Sequence, residues 1–374
     1  MNFKCSKTDI TFGVKNASRA LGSGSALPIL AGIKLETSGN NLNLIATDLE
    51  RTIIVTVPIE NQGDDGAYVL NGQLLAKITG MLPEDELEMV MDESGDKVTI
   101  SSGEAKFELL LQPIEDYPDV LTTPDDTLLS IPREHLVRAL ERTAFAAMSA
   151  KETSRLNLTG VDIVTDGDKL RLVATNGYRL ALKEETLTTE VPDGEYLVDA
   201  DSLKELQSIL SSLKDEEVQV AHHNDHLFFT TPMMTFASRV IQEEYPNIDR
   251  VIPKDNNKGV YLSKDAFFGA LQRAEITTAP ESGAVVLEVI DSHLLVKSQS
   301  AEKGQTEERI PILKPVEPIK ISFRGEYLID ALRRMSSDEV VVWLKDSESA
   351  GLLETVDDES DQGFIYVCMP IRLD

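Results

Sequence analysis

Residues 158–182 read LTGVDIVTDGDKLRLVATNGYRLAL, and the same text stands earlier, at residues 30–54, as LAGIKLETSGNNLNLIATDLERTII. Gly32 and Gly160, Ala46 and Ala174, and Thr47 and Thr175 are each 128 residues apart. A constant offset without slippage marks a duplicated unit, and a repeat decides an architecture before any single element does. Within the later copy, residues 160–164 and 170–174 alternate apolar and polar side chains around Asp166-Gly167-Asp168. That spacing predicts a hairpin followed by a third strand.

Working outward, the first repeat occupies residues 1–124. An amphipathic helix over 8–21 places Ile10, Val14, Ala17 and Leu21 on one face, with Thr8 or Asp9 as its cap. A second helix over 71–82 is stopped by Pro83, strands follow at 86–90, 97–101 and 106–111, and the unit closes with Ile114-Glu115-Asp116-Tyr117-Pro118. The second repeat, 131–253, has helices at 133–148 and 199–213 and strands at 217–221, 227–231 and 234–241. It closes with Glu244-Tyr245-Pro246-Asn247-Ile248, so that Pro246 keeps the offset of 128 from Pro118. The third, 260–374, has a helix over 263–276 capped by Ser263 and a hairpin of 283–289 with 293–298. A helix over 324–335 and strands at 340–344 and 364–369 complete it; Leu294 follows Leu170 by 124 residues. Residues 122–131 and 253–259 read as linkers. The fold class is therefore α+β, in three repeated domains, each with two helices against antiparallel sheets.

The chain has 374 residues and a net charge of -28. Such an excess of acid argues for solubility and against wholesale attraction to DNA or anionic lipid. Its placement is uneven: counted over residues 7–21, 73–82, 133–147, 199–213, 264–276 and 324–335, the six predicted helices sum to +3, which leaves -31 on everything else. Charge of that kind is what ordinary solvated helix faces give by chance, and it also suits helices turned toward a polyanion. The two cysteines, Cys5 and Cys368, form no metal or disulfide framework. The first residues, MNFKCSKTDI, lack the apolar core of a signal peptide, and no apolar run approaches the ~20 residues that cross a bilayer. A cytoplasmic protein without membrane association is expected.

Motifs for chemistry fail one by one. Gly22-Ser23-Gly24 follows a helix instead of a strand and has Leu27 at the third glycine position, so it is not a dinucleotide loop. His222, His223 and His226 fall between two predicted strands and read as a hairpin turn. Asp357-Asp358-Glu359-Ser360-Asp361 lacks the calcium-loop positions. Neither Ser154 nor Cys368 has a base that the sequence places beside it. No metal, no cofactor and no catalytic residue is expected.

LPILAGIKL with ATDLE in the first repeat, LTGVDIV with ATNGYRLAL in the second, EEYPNIDRVIP closing the second, and YVCMPIRL at the end together resemble the bacterial DNA polymerase III beta subunit, the beta sliding clamp family. The resemblance covers the whole chain in order. It implies a non-enzymatic, ring-forming homodimer of DNA-clamp fold that encircles duplex DNA independently of sequence. It also implies partnership with the polymerase III catalytic subunit, a clamp-loader ATPase and other clamp-motif proteins.

Carried over by motif, the family's partner-peptide pocket comprises Leu158, Thr175, Gly177, Tyr178, Arg179, Leu180, Pro246, Arg250, Val251, Tyr327, Val367, Met369, Pro370, Ile371, Arg372 and Leu373. Lys151 and Arg155, with the helix cations Arg19, Lys77, Arg138 and Arg142, are the DNA-facing candidates. Phe107 and Leu109 against Ile276 are the dimer contacts. The chain departs from the pattern where Asn176 replaces a common Asp and Asp374 extends the tail. It also departs where residues 22–25 and the acids Asp199 and Asp201 stand at positions that often carry a basic side chain. A monomeric three-repeat adaptor using the same pocket is the alternative reading, and an enzyme of unknown type comes third.

Overall fold

The computed structural model describes residues 1–22, 27–92, 94–121, 123, 124 and 126–372. The first repeat runs β1 (Asn2–Ser6), α1 (Lys7–Ala17), β2 (Gly32–Ser38), β3 (Asn41–Thr47), β4 (Arg51–Pro58), β5 (Glu60–Asn61), β6 (Ala67–Asn71), α2 (Gly72–Met81), β7 (Glu86–Met91), β8 (Lys97–Ser102) and β9 (Ala105–Leu110). The second runs β10 (Leu129–Pro132), α3 (Arg133–Thr143), β11 (Gly160–Thr175), β12 (Arg179–Asp199), α4 (Ala200–Leu210), β13 (Glu217–His223), β14 (His226–Thr231) and β15 (Met234–Arg239). The third runs β16 (Lys258–Ser263), α5 (Lys264–Glu275), β17 (Ala284–Ile290), β18 (His293–Ser300), β19 (Gly304–Pro311), β20 (Lys320–Arg324), α6 (Gly325–Leu332), β21 (Glu339–Leu344), β22 (Gly351–Thr355) and β23 (Phe364–Cys368).

The strands form two compact units. One, Met1–Leu136 with Glu205–Val240, holds a five-stranded sheet in the order β5-β1-β7-β8-β9 and an eight-stranded sheet in the order β10-β13-β14-β15-β4-β3-β2-β6. The other, Val137–Lys204 with Ile241–Asp374, holds a six-stranded sheet, β11-β12-β23-β22-β21-β16, and a four-stranded sheet, β19-β18-β17-β20. Compactness follows shared sheets, not the sequence repeats. The eight-stranded sheet joins the first two repeats where β15 pairs with β4, from Met234↔Val55 to Ser238↔Arg51. The six-stranded sheet joins the last two where β23 pairs with β12, from Arg179↔Cys368 to Lys183↔Phe364. An edge strand handed to its neighbour leaves no open ladder.

The offset of 128 survives in the registers. Gly32 faces Asn71 and Gly160 faces Asp199; Thr47 faces Thr52 and Thr175 faces Leu180. The repeated glycine has a packing cause: a Cβ on Gly32 would lie 2.5 Å from Val69, and one on Gly160 would lie 2.5 Å from Leu197, again 128 residues on. The turn expected at Asp166-Gly167-Asp168 centres on Gly167 (φ +57), the counterpart of Gly39 (φ +56). On either side of it β11 pairs with different parts of β12, residues 160–165 with 194–199 and 169–175 with 180–186. Closing tyrosines repeat as well: the buried Tyr117 hydroxyl donates to the Ile45 carbonyl at 2.9 Å, and Tyr245 to Val173 at 3.4 Å.

Helix starts follow side-chain oxygens. Ser6, not Thr8 or Asp9, caps α1, accepting from Asp9 N at 3.0 Å. Asn71 caps α2, Asp199 accepts from Ser202 N at 2.8 Å, and Ser263 caps α5 as its position predicts. The first helix buries Ile10, Val14 and Ala17. The supposed linkers are partly strand: β10 begins inside 122–131 and pairs with β13, and β16 begins inside 253–259 and pairs with β21. Their partners lie 76 to 91 residues downstream, from Ser263↔Glu339 to Leu129↔Val220, so no local turn signal marks them.

Candidate functional site

The turn between β11 and β12 is built by two side chains. Thr175 Oγ1 donates to the Arg179 carbonyl at 2.6 Å and accepts from Gly177 N at 3.0 Å. Asn176 Oδ1 accepts from Tyr178 N and Arg179 N, each at 3.0 Å. These bonds close the turn only if residue 177 takes a left-handed conformation, and Gly177 does so at φ +86. The turn is thereby fixed, and Tyr178 stands 62% exposed at its tip.

Below it lies a buried apolar floor. Leu180 and Val367, cross-strand neighbours on β12 and β23, pack with Val173, Leu182, Leu197, Tyr245 and Ile248; the half-buried Ile241, Ile252 and Leu352 lean on the same cluster. Leu158 is buried at the end of a short 3-10 turn just before β11. The rim is exposed: Pro246, Arg250, Val251, Met369 and Arg372 reach solvent. Met369 N donates to the Tyr178 carbonyl at 2.8 Å, which ties the tail to the turn, and Ile371 N donates to Ser322 O at 2.8 Å. Half-buried Pro370 follows, while Leu373 lies outside the described residues. An apolar floor, with a rim that adds Arg250 and Arg372 to apolar side chains, is what an extended peptide with aliphatic anchors needs.

Tyr327 reaches the same turn from α6, its hydroxyl accepting from Asn176 Nδ2 at 3.3 Å. An Asp at 176 could make the two backbone contacts but could not donate this bond. Arg179 is the exception among the pocket residues. Its side chain is only 10% exposed, and Nη1 donates to Asp330 Oδ2 at 2.8 Å. Burial alone would lower its pKa; Tyr366 and the Asp330 carboxylate outweigh that and raise it. It offers no free charge at the rim. Sequence reading misses Asp330, Phe145 and Leu352, because nothing local to them marks a site.

The DNA-facing candidates divide. Lys77, Lys151 and Arg155 are exposed, and Arg138 is half-buried. Arg19 is paired with Glu205. Arg142 must be struck out: it is 2% exposed, paired with the buried Asp361 carboxylate and hydrogen-bonded to Ser336 Oγ at 2.9 Å. A guanidinium so enclosed is a structural ion pair, whose removal from one side would strand the other charge. The acid Asp199 has a local task as the cap of α4. Residues 23–25 of the glycine-serine loop lie outside the described residues.

Of the dimer candidates, Ile276 is 69% exposed and Phe107 half-buried, but Leu109 is turned inward and buried. Alternation along β9 leaves Leu110, 73% exposed, as the apolar side chain facing out. The Cys368 thiol is no nucleophile, since burial pushes it up to about 12. Among the described residues, no helix is long and apolar enough to cross a membrane.

Three repeats that share antiparallel sheets, each with two helices, define the DNA clamp fold. The chain matches the DNA polymerase III beta subunit along its length: the N-terminal domain over residues 1–122, the central domain over 130–247 and the C-terminal domain over 249–372. It belongs to that family, the sliding clamps, whose members partner DNA and a polymerase as processivity factors and are not themselves catalysts. It is 28% identical to the beta sliding clamp of Vibrio cholerae and 26% identical to that of Escherichia coli, in each case over the whole of both chains. Among solved structures it is similar to the DNA polymerase III beta subunit of Thermotoga maritima (TM-score 0.91, 27% identity). It is equally similar to a sliding clamp of Pseudomonas aeruginosa bound to griselimycin (TM-score 0.92, 26% identity), both over 100% of each chain.

Proposed function

We propose that two copies of this chain close head to tail into a ring around duplex DNA in the cytoplasm. The site between β12 and β23 then seats short peptide motifs of the polymerase catalytic subunit, of a clamp-loader ATPase and of other DNA-processing proteins. The full-length family match carries the reading, and the unpaired edges of the outer sheets support the ring. At both internal junctions a third strand, β15 or β23, is covered by a strand of the preceding repeat. The counterpart of β15 in the first repeat is β9, which ends its sheet; the counterpart of β4 in the third repeat is β19, which also ends its sheet. Carrying the Met234↔Val55 register over by the repeat offsets places Lys106 of one copy opposite residue 307, a Glu, of the other. Opposite charges in facing positions favour that pairing. A monomeric adaptor would leave both edges open to solvent, and the ring reading is preferred for that reason.

With most acids outside the helices and few exposed cations on them, phosphate contacts are weak, and a topological link holds the DNA without impeding sliding. The tether raises the effective concentration of whatever occupies the peptide site. The direct test loads the protein with a clamp loader and ATP on nicked circular duplex, then linearises the circle. Retention on the circle and loss on linearisation is the expected outcome. Retention on both forms would mean ordinary phosphate binding, and retention on neither would sink the ring.

A further inference from the structure

Arg179 belongs to the site by sequence yet turns its guanidinium inward, and what it meets there is unusual. The group lies 4.5 Å from the ring centre of Tyr327 and 5.4 Å from that of Phe145. Arg324 lies 5.5 Å from the Tyr327 ring, and Arg334 lies 4.1 Å from the Phe145 ring. Guanidinium and aromatic groups are thereby linked in the order Arg334, Phe145, Arg179, Tyr327, Arg324. Asp330 is the carboxylate set among these cations. It accepts from Arg179 at 2.8 Å, lies 3.9 Å from Arg334, and its carbonyl accepts from Arg334 Nη1 at 2.7 Å. Tyr366 braces this row from the side, stacking on Phe145 at 5.9 Å and donating its hydroxyl to the Tyr327 carbonyl at 2.8 Å. Arg179 Nη2 also donates to the Phe145 carbonyl at 2.9 Å.

Gathering cations in a partly buried row is costly unless the geometry is worth keeping. Burial, with Arg333 and Arg179 as like-charged neighbours, lowers the Arg334 pKa. What the row holds is the peptide site. Tyr327 is fixed on its face by guanidinium, at its hydroxyl by Asn176 and at its backbone by Tyr366, and Asn176 is the residue that shapes the turn presenting Tyr178. The first repeat shows the alternative. There Asp48 stands at the place of Asn176, and its carboxylate keeps Arg51 at the turn, 3.1 Å away. Uncharged Asn176 leaves Arg179 to cross to Asp330.

We propose that Arg179, Asp330, Phe145 and Arg334 are positioning residues for the partner peptide. The alternating row sets the Tyr327 ring and the turn at residues 175–179 in the binding geometry, and Arg179 itself does not touch the peptide. This rests on the reading of the β12–β23 site as the peptide seat. The ligand class is a short extended peptide with aliphatic anchors, for which no acidic side chain is required.

The test measures binding of a fluorescein-labelled peptide of that kind to the full-length protein and to R179K, D330N, the R179K/D330N double variant, N176D and M369A, with melting temperatures alongside. Asp330 acts through its contacts with Arg179 and Arg334, so D330N should weaken binding on the order of tenfold, R179K by a similar factor, and the double variant no more than the worse single one. N176D should weaken binding as well, by drawing Arg179 back to the turn, and it serves where D330N folds poorly. A purely structural role would lower melting temperatures and leave affinity, measured well below them, unchanged; that result overturns the proposal. So does wild-type affinity in D330N with a loss in R179K that grows with acidic residues in the peptide, the mark of direct contact. Binding that M369A abolishes while D330N and N176D leave it intact sinks the positioning role alone. No binding to the wild type, or binding indifferent to M369A, sinks the peptide seat and the proposal with it.

Discussion

The turns at residues 47–51 and 175–179 share one set of hydrogen bonds. Thr47 Oγ1 donates to Arg51 O at 2.9 Å and accepts from Leu49 N at 3.1 Å, as Thr175 does with Arg179 and Gly177. Asp48 Oδ1 accepts from the two amides that follow, as Asn176 does. Even the exit is repeated: Arg239 N donates to Glu50 O at 2.8 Å, and Met369 N to Tyr178 O at the same length. Yet the side chains diverge. Thr52 and Ala237 stand where the second turn has Leu180 and Val367, Glu50 where it has Tyr178, and strained Leu49 (φ +76) where it has Gly177. At the first junction Leu121 packs over Ala237 and Phe228, so the chain covers that face itself. One backbone supports both turns, and only the second has apolar floor and exposed aromatic rim together. The difference teaches that the repeat supplies the frame, and a handful of side chains decide which junction carries an apolar floor beside an exposed aromatic.

The largest expected effect comes from making the second junction resemble the first. Leu180→Thr with Val367→Ala removes the apolar floor, and peptide affinity should fall about a hundredfold, roughly 3 kcal/mol, by fluorescence anisotropy. Retained affinity would show that the comparison points at the wrong residues.

Next comes the buried carboxylate of the second repeat. Asp162 takes the place of Lys34, which is paired with Glu36 at 3.0 Å. Asp162 is 5% exposed, its Oδ1 has no hydrogen-bond partner, and its pKa is pushed up to about 7 by burial and by Glu195, against Arg171. A carboxyl raised in the folded state lowers stability as pH rises from its ordinary value near 4 to about 7. Asp162→Asn should therefore raise unfolding free energy by about 2 kcal/mol at pH 8 and change it little at pH 4, read by urea titration. Equal effects at both pH values would refute the assignment.

The ring edge gives a smaller effect. Lys106→Glu should weaken dimerisation by about 1 kcal/mol and Glu307→Lys should restore it in the double variant, by analytical ultracentrifugation. Additive losses would reject the register. Smallest is Leu49→Gly: release of the left-handed strain, offset by backbone entropy, should stabilise the fold by about 0.5 kcal/mol. Gly177→Leu should cost more than that gain returns, and a loss of stability in the first variant would mean that Leu49 packing outweighs strain.

Much was legible in the chain because repeats are local text. Gly32 and Gly160, Tyr117 and Tyr245, and the paired threonines announce the same turn, strand and corner wherever they recur. The motifs also named Leu180, Val367, Tyr178 and Met369, which the structure sets within or beside the paired strands β12 and β23. Partners distant in sequence were not legible. Arg142 meets Asp361 and Arg179 meets Asp330, each more than 150 residues away, and β10 and β16 exist as strands only through remote ladders.

The sequence by itself determined the repeat, the α+β class, the apolar faces and the family, because periodicity and turn chemistry act over a few residues. Only tertiary structure decided which cations are free and which are spent in ion pairs. It also decided that Arg179 faces inward, and that Leu110 and not Leu109 faces out of β9. Those outcomes depend on which groups meet across a shared sheet, and charge and hydrophobicity along the chain are the same whether or not a partner is there.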